Sequence, residues 1–227
     1  ACATIPAMRP REPSPKLVLA SQSPRRKELF ALTGLAFSQE GAQLDESPRN
    51  GDSPAQHALR LAREKAEAVA QLHRGGTLVL GADTIVVHND TILGKPTDAD
   101  DAERMLRELQ SGIHTVVTAI ALAASGHSRQ ECCSTQVQLR RFSHRERGDY
   151  IATGDPLDKA GAYGIQNRQF RPATALGGCF ANVMGLPLCH VARALSASGV
   201  KLPADVAGAC TAHTGYDCPI HQKILAD

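Results

Sequence analysis

Aromatic residues are scarce in this chain: 227 residues include no tryptophan, three tyrosines and five phenylalanines. Proteins that hold single-stranded nucleic acid stack bases on aromatic faces, and that platform is missing here. Net charge is also small, +2 at neutral pH, which argues against the basic surface of a general nucleic-acid binder. No apolar run can cross a bilayer. The most apolar stretch, Val116 to Ala124, falls well short of the roughly 20 residues a spanning helix needs. Residues 1–15 hold four prolines and no apolar core, so they read neither as a leader nor as a packed element. Seven irregularly spaced cysteines form no evident disulfide framework and fit the reduced thiols of a cytoplasmic protein.

What is present describes an ordinary globule, 42% hydrophobic and 21% charged, long enough for one full core. The expected organisation is a proline-rich segment over 1–15, a single domain over 16–203, and a tail over 204–227 that carries cysteine and histidine.

Strands and helices alternate along the domain. Leu17 to Ala20 reads as a buried strand and Ser23-Pro24 as a helix start. Ser53-Pro54 opens a longer helix that closes at Gly75-Gly76. Thr77 to Leu80 is a strand that runs into a loop, Gly81-Ala82-Asp83-Thr84. Ile85–Val87 and Thr91–Leu93 flank Asn89-Asp90, a hairpin turn. Thr97 or Asp98 caps a helix that ends near Gly112. Strands follow over His114–Ala124 and Thr135–Phe142. Ser143 and Glu146 have the capping-box spacing before a helix that stops at Gly154. Gly177 to Val183 reads as a final strand, and Pro187 opens a last helix. The pattern predicts an α/β domain with a mixed sheet.

The segment Leu17 to Leu29, LVLASQSPRRKEL, holds the most chemistry. Ser23 can cap free backbone N–H groups and Pro24 suits the first helical position. The turn thus presents a helix dipole, two hydroxyls, Arg25 and Arg26. It reads either as an anion site, most naturally for phosphate, or as a solvated basic helix start. Asp83, at a strand end, is either a turn residue or a carboxylate for metal or proton transfer. Leu93-Gly-Lys-Pro-Thr97 is not a P-loop, because Asn89 stands where the first glycine is required and Pro96 interrupts the lysine-to-hydroxyl step. Asp155 to Gln166 packs Asp158, Lys159, Tyr163 and Gln166 among glycines, either as a plain connector or as a loop that lets backbone approach a ligand.

Together these segments resemble the Maf family of nucleoside triphosphate pyrophosphatases. The stretches that carry the likeness are LASQSPRRKEL, LDES, LAREKA, LVLGADTIVV, ILGKPTDADDAERML, HTVVTAIAL, GDPLDKAGAYGIQ and NVMGLPL, in that order. The resemblance implies an elongated mixed sheet flanked by helices around a central cleft, related to inosine-triphosphate pyrophosphatases. It also implies hydrolysis of a nucleoside triphosphate to the monophosphate and pyrophosphate with Mg²⁺ or Mn²⁺, commonly by a homodimer. Carried over position by position, Ser21, Arg25, Arg26, Lys65 and Lys95 would bind phosphates. Glu46 and Asp83 would hold the metal, with Asp83 also the general base.

Arg25, Thr84 and Gln166 look like the branch that acts on dTTP and UTP rather than on 7-methyl-GTP. One glutamine amide complements the N3–H and O4 of uracil or thymine. Flipped, it would suit cytosine, so CTP stays open, as do modified uridine triphosphates. A nucleotide-binding regulator of cell division without catalysis is the alternative from another class. The chain departs from the family pattern at Asn167–Ala175 and at GGCFANVMG. Outside the resemblance, Cys210, His213, Cys218 and His221 in the tail have a spacing that could serve a structural zinc, or be unligated thiols and imidazoles.

Overall fold

The computed structural model describes residues 15–73, 75–124 and 127–226. The proline-rich segment expected over 1–15 lies outside them except for Pro15. The chain runs β1 (Lys16–Ala20), α1 (Pro24–Ala31), β2 (Ser38–Glu40), α2 (Pro54–Ala70), β3 (Thr77–His88), β4 (Thr91–Leu93), α3 (Ala99–Leu109), β5 (Ile113–Ala124), β6 (His127–Leu139) and α4 (His144–Ala152). Two short 3-10 turns, Asp155–Asp158 and Ala160–Ala162, lead to β7 (Ala173–Gly177). Four helices follow: α5 (Phe180–Met184), α6 (Leu188–Ala197), α7 (Val206–Thr214) and α8 (His221–Ala226).

Local chemistry fixes the element ends. Ser23 caps α1 by accepting from the Arg26 N–H, with Pro24 in the first turn. Ser53 with Gln56, and Ser143 with Glu146, form reciprocal capping boxes for α2 and α4. Of the two candidate caps for α3 it is Asp98 that accepts from the Asp101 N–H, at 2.8 Å. Asn89 and Asp90 adopt φ of +47° and +61°, the left-handed pair that a two-residue hairpin between β3 and β4 requires.

The sheet is mixed, in the order β2-β1-β3-β5-β6-β7, with β4 on β3. β1 runs parallel to β2 and β3, and the pairings from β3 through β7 are antiparallel. Both faces of its centre are buried, which is why β1 reads as a continuous apolar run. Leu17 and Leu19 point into one core with Leu29, Phe30 and Leu106, while Val18 and Ala20 point into another with Ala58, Ala62, Ala66 and Val69 of α2.

Four expectations are corrected. Gly81–Thr84 is not a loop but the middle of one continuous strand, because β5 pairs with β3 without a break from Val79 to Val87. β6 begins at His127, earlier than Thr135, because its pairing with β5 runs on from His127, while the exposed polar run His127–Gln130 offers no alternation to read. Gly177–Val183 is not a strand: β7 ends at Gly177, and Cys179 caps α5 by accepting from the Asn182 N–H. α6 is not the last helix, because α7 and α8 follow it, with Val206 and Cys210 of α7 in the core.

One edge of β3 is interrupted. β1 pairs with it only as far as Gly81, and β4 pairs with it only from Val86. Residues 82–85 therefore have a partner strand, β5, on one side only, and the sheet opens there to both faces. At the rim of this gap α2 rests directly on β3. A Cβ added to Gly81 would lie 2.2 Å from the Ala62 carbonyl oxygen and 2.8 Å from the Ala66 nitrogen. Only glycine permits this approach.

Gly81→Ala is therefore expected to push α2 off the sheet at a cost of about 1–3 kcal/mol, the usual range for overpacking. Denaturant unfolding measures it. Stability equal to the wild type would mean that the helix does not depend on this contact.

Candidate active site

The gap in β3 is the floor of a cleft of about 570 Å³. Ser21, Arg25, Arg26, Glu46, Lys65, Asp83, Thr84, Lys95 and Gln166, the residues singled out from the sequence, all line it. They come from separate elements: the β1–α1 turn, the first turn of α1, the segment before α2, α2 itself, β3, the turn after β4, and the loop after the 3-10 turns.

Asp83 follows Gly81 by two positions on β3, so both face α2. The close approach at Gly81 brings the turn of α2 that carries Lys65 over Asp83. Lys65 Nζ donates to Asp83 Oδ1 at 2.6 Å and lies 2.7 Å from Glu46 Oε1. Lys65 and Asp83 are buried, whereas the Glu46 side chain is half exposed. Partial burial pushes the Glu46 carboxyl up, but the hydrogen bond from Lys65 and the charges of Lys65, Lys95 and Arg26 outweigh it, so its pKa falls below the ordinary value. The site thus holds Glu46 ionised.

Two carboxylates converging on one cationic group is a donor set suited to a hard divalent ion whose remaining ligands are phosphate oxygens and water. Among the described residues, no group of three or more His, Cys, Asp or Glu could hold a metal by itself. An ion here would need the ligand's oxygens.

On the opposite face of β3, Arg26 is held at three points. Its Nε donates to Gly185 O at 2.9 Å, Nη1 to Ser21 Oγ at 3.3 Å and Nη2 to Thr84 Oγ1 at 3.0 Å. Burial pushes its pKa down, against the charges of Asp83 and Glu46, which raise it. Arg25 Nη1 donates to Asp158 Oδ2 at 3.0 Å. Asp158 Oδ1 accepts from the buried Lys159 at 2.7 Å, and Lys159 also binds the Asp155 carboxylate at 2.8 Å. The glycine-rich loop is thereby tied across the cleft mouth to α1. Lys95 is an exposed cation on the wall.

Sequence reasoning missed several residues. Arg60 of α2, buried, binds Asp52 at 3.0 Å, Glu64 at 3.3 Å and the Ser47 carbonyl at 3.1 Å, which pins the segment that carries Glu46. His114 on β5 meets the Tyr163 hydroxyl at 2.7 Å beneath the loop of Gln166. Burial and the neighbouring His88 push the His114 pKa down to about 4, so it is neutral at physiological pH. Thr118 and Asn182 sit fully buried behind Thr84. A basic residue inside a helix, or polar residues inside apolar runs, gave no signal of these tertiary roles.

The zinc reading of the tail is not supported. Cys210 packs into the core, where burial and the nearby Cys218 raise its thiol to about 11. Cys218 turns toward Gly178 O, and its hydrogen bond with Cys179 also raises its pKa. His213 is exposed. Among the described residues no three His, Cys, Asp or Glu side chains come together to hold a metal. All six described cysteines are free.

Comparison with known proteins finds relatives of this sequence. The profile of the family described as Maf-like protein matches residues 16–198. A protein from Anaeromyxobacter dehalogenans (strain 2CP-1) named dTTP/UTP pyrophosphatase is 46% identical over 194 residues, covering 84% of this chain and 97% of that protein. One of the same name from Hahella chejuensis is 43% identical over 192 residues, covering 84% and 96%. A solved nucleoside-triphosphatase, dITP/XTP pyrophosphatase, from Mycobacterium abscessus shows a slight likeness, 17% identical with a TM-score of 0.35 over 56% of this chain and 75% of that one.

Proposed function

The chain belongs to the family of Maf-like proteins, and we propose on that footing that it hydrolyses dTTP and UTP to the nucleoside monophosphate and pyrophosphate. The observation that carries this reading is the pairing, in one cleft, of a carboxylate–lysine–carboxylate cluster with an arginine fork. The relatives named dTTP/UTP pyrophosphatase carry the choice of nucleotide.

A triphosphate is bound chiefly by charge and by oriented N–H donors. Arg26 is pre-oriented by its three protein partners, and Arg25 and Lys95 add charge in the same cleft. Asp83 and Glu46 would hold Mg²⁺ or Mn²⁺, which when bound offsets phosphate charge and lowers the pKa of water. Lys65 engages Oδ1 of Asp83, leaving Oδ2 to take the proton from the attacking water as it adds to the α-phosphorus. Gln166, in the glycine-rich loop that lines the cleft, would read N3–H and O4 of the pyrimidine. A divalent ion, a homodimer and a cytoplasmic place of action belong to the same proposal. They rest on the resemblance and, for the last, on the unpaired thiols. Among the described residues no helix is long and apolar enough to cross a membrane.

Two measurements test the reading. A panel of UTP, dTTP, CTP, GTP and 7-methyl-GTP, scored for pyrophosphate, should show UTP and dTTP as preferred substrates. Gln166→Ala should lose about 1–3 kcal/mol of that preference, the cost of a base edge left unpaired. Binding without turnover would favour the regulator, and a 7-methyl-GTP preference would place the chain in the other branch. Asp83→Asn, which keeps the shape but removes the base, should lower turnover roughly 10²–10⁴-fold. Near-normal turnover in the folded variant would remove Asp83 from that role.

A further inference from the structure

We infer that Thr118 and Asn182, which lie behind the cleft, are positioning residues for the phosphate-binding arginine, Arg26. They act through a one-directional relay of hydroxyl groups. This rests on the proposed function in one respect, that Arg26 binds polyphosphate.

The direction of each hydrogen bond follows from what each atom can do. The backbone oxygen of Asn182 can only accept, so Thr118 Oγ1, 2.8 Å away, must donate to it. That spends the only proton on Thr118. Its contact with Thr84 Oγ1 at 2.9 Å therefore uses a lone pair, and Thr84 is the donor. Thr84 Oγ1 is then left only with lone pairs, and Arg26 Nη2 donates to one of them at 3.0 Å. The order is Arg26 to Thr84 to Thr118 to Asn182, and no hydroxyl in it can turn round without breaking a bond.

The far end of the relay is rigid. Thr118 and Asn182 have no exposed surface. The Asn182 side chain accepts from the Thr118 N–H at 3.1 Å and donates to Val116 O at 3.0 Å and Thr135 Oγ1 at 2.9 Å. Both amide ends are thus satisfied and its orientation is fixed. α5 closes at Gly185, whose φ of +109° ends the helix, and the Gly185 carbonyl accepts from Arg26 Nε at 2.9 Å. The same five-residue helix therefore grips the guanidinium twice, once directly and once through two hydroxyls. With Ser21 on Nη1, three of the five N–H bonds of Arg26 are engaged. Each terminal nitrogen keeps one, and these two form the fork that a phosphate accepts.

Thr84 lines the cleft and was already a candidate from the resemblance. Thr118 and Asn182 are fully buried and do not line the cleft, so their effect must pass through Arg26. A residue that only fills the core would affect stability, whereas one that aims a guanidinium affects polyphosphate binding.

The test is calorimetric titration of the full chain with inorganic pyrophosphate, together with UTP kinetics. Thr118→Val keeps the shape and removes the hydroxyl. Pyrophosphate affinity should fall roughly tenfold, as for a lost hydrogen bond to a charged group. KM for UTP should rise by a similar factor while kcat changes less. Thr118→Ser should restore both. Thr33→Val serves as the control for stability alone. Thr33 is a buried threonine that donates to Phe30 O at 2.7 Å, away from the cleft, and pyrophosphate affinity should be unchanged in the variant. If Thr118→Val does not fold, Thr118→Cys, with a weaker donor of similar volume, should weaken pyrophosphate about threefold. Unchanged affinity in the folded Thr118 variants, or an equal loss in Thr33→Val, would overturn the relay. A wild-type protein that neither binds pyrophosphate nor turns over UTP would overturn the reading of the cleft, and the relay with it.

Discussion

The contact of α2 with β3 at Gly81 is the constraint on which the site depends. A helix backbone that rests on a strand with no Cβ between them is closer than side-chain packing allows. That closeness lets Lys65 reach Asp83, two residues further along the strand on the same face. The alanines of α2, Ala58, Ala62 and Ala66, are small for the same reason. Bulk at any of them would lift the lysine away from its carboxylate.

The second requirement is the interrupted edge of β3. Because pairing with β1 stops at Gly81 and pairing with β4 begins at Val86, the side chains of Asp83 and Thr84 leave opposite faces of one strand and still line one cleft. The carboxylate chemistry develops on the α2 face and the arginine fork on the other. A loop at this position could carry the same residues but could not hold them to a strand's alternation. Continuous pairing with β5 through Thr84 and Thr118 supplies that rigidity.

Much of this was legible in the sequence where the signal was local. The Ser23-Pro24 cap, the Asn89-Asp90 hairpin and the capping box at Ser143 depend on neighbouring residues, and they form as their chemistry dictates. The candidate cleft residues were legible as motifs, and the fold brings them together. What failed was reading Gly81-Ala82-Asp83-Thr84 as a loop. Glycine and aspartate favour turns in isolation, but here the glycine answers a helix in another part of the chain. Gly177–Val183 misled for the opposite reason: its apolar residues fit a strand, whereas Cys179 and Asn182 cap and anchor a short helix. The roles of Arg60, Thr118 and Asn182 are wholly tertiary, and no spacing in the sequence marks them.

In the proposed reaction water attacks the α-phosphorus and pyrophosphate leaves. Turnover of UTP in ¹⁸O-labelled water, with mass analysis of both products, tests it most directly. The expected result is one labelled oxygen in the monophosphate and none in pyrophosphate. Label in pyrophosphate or orthophosphate instead would place the attack at another phosphorus and contradict the account.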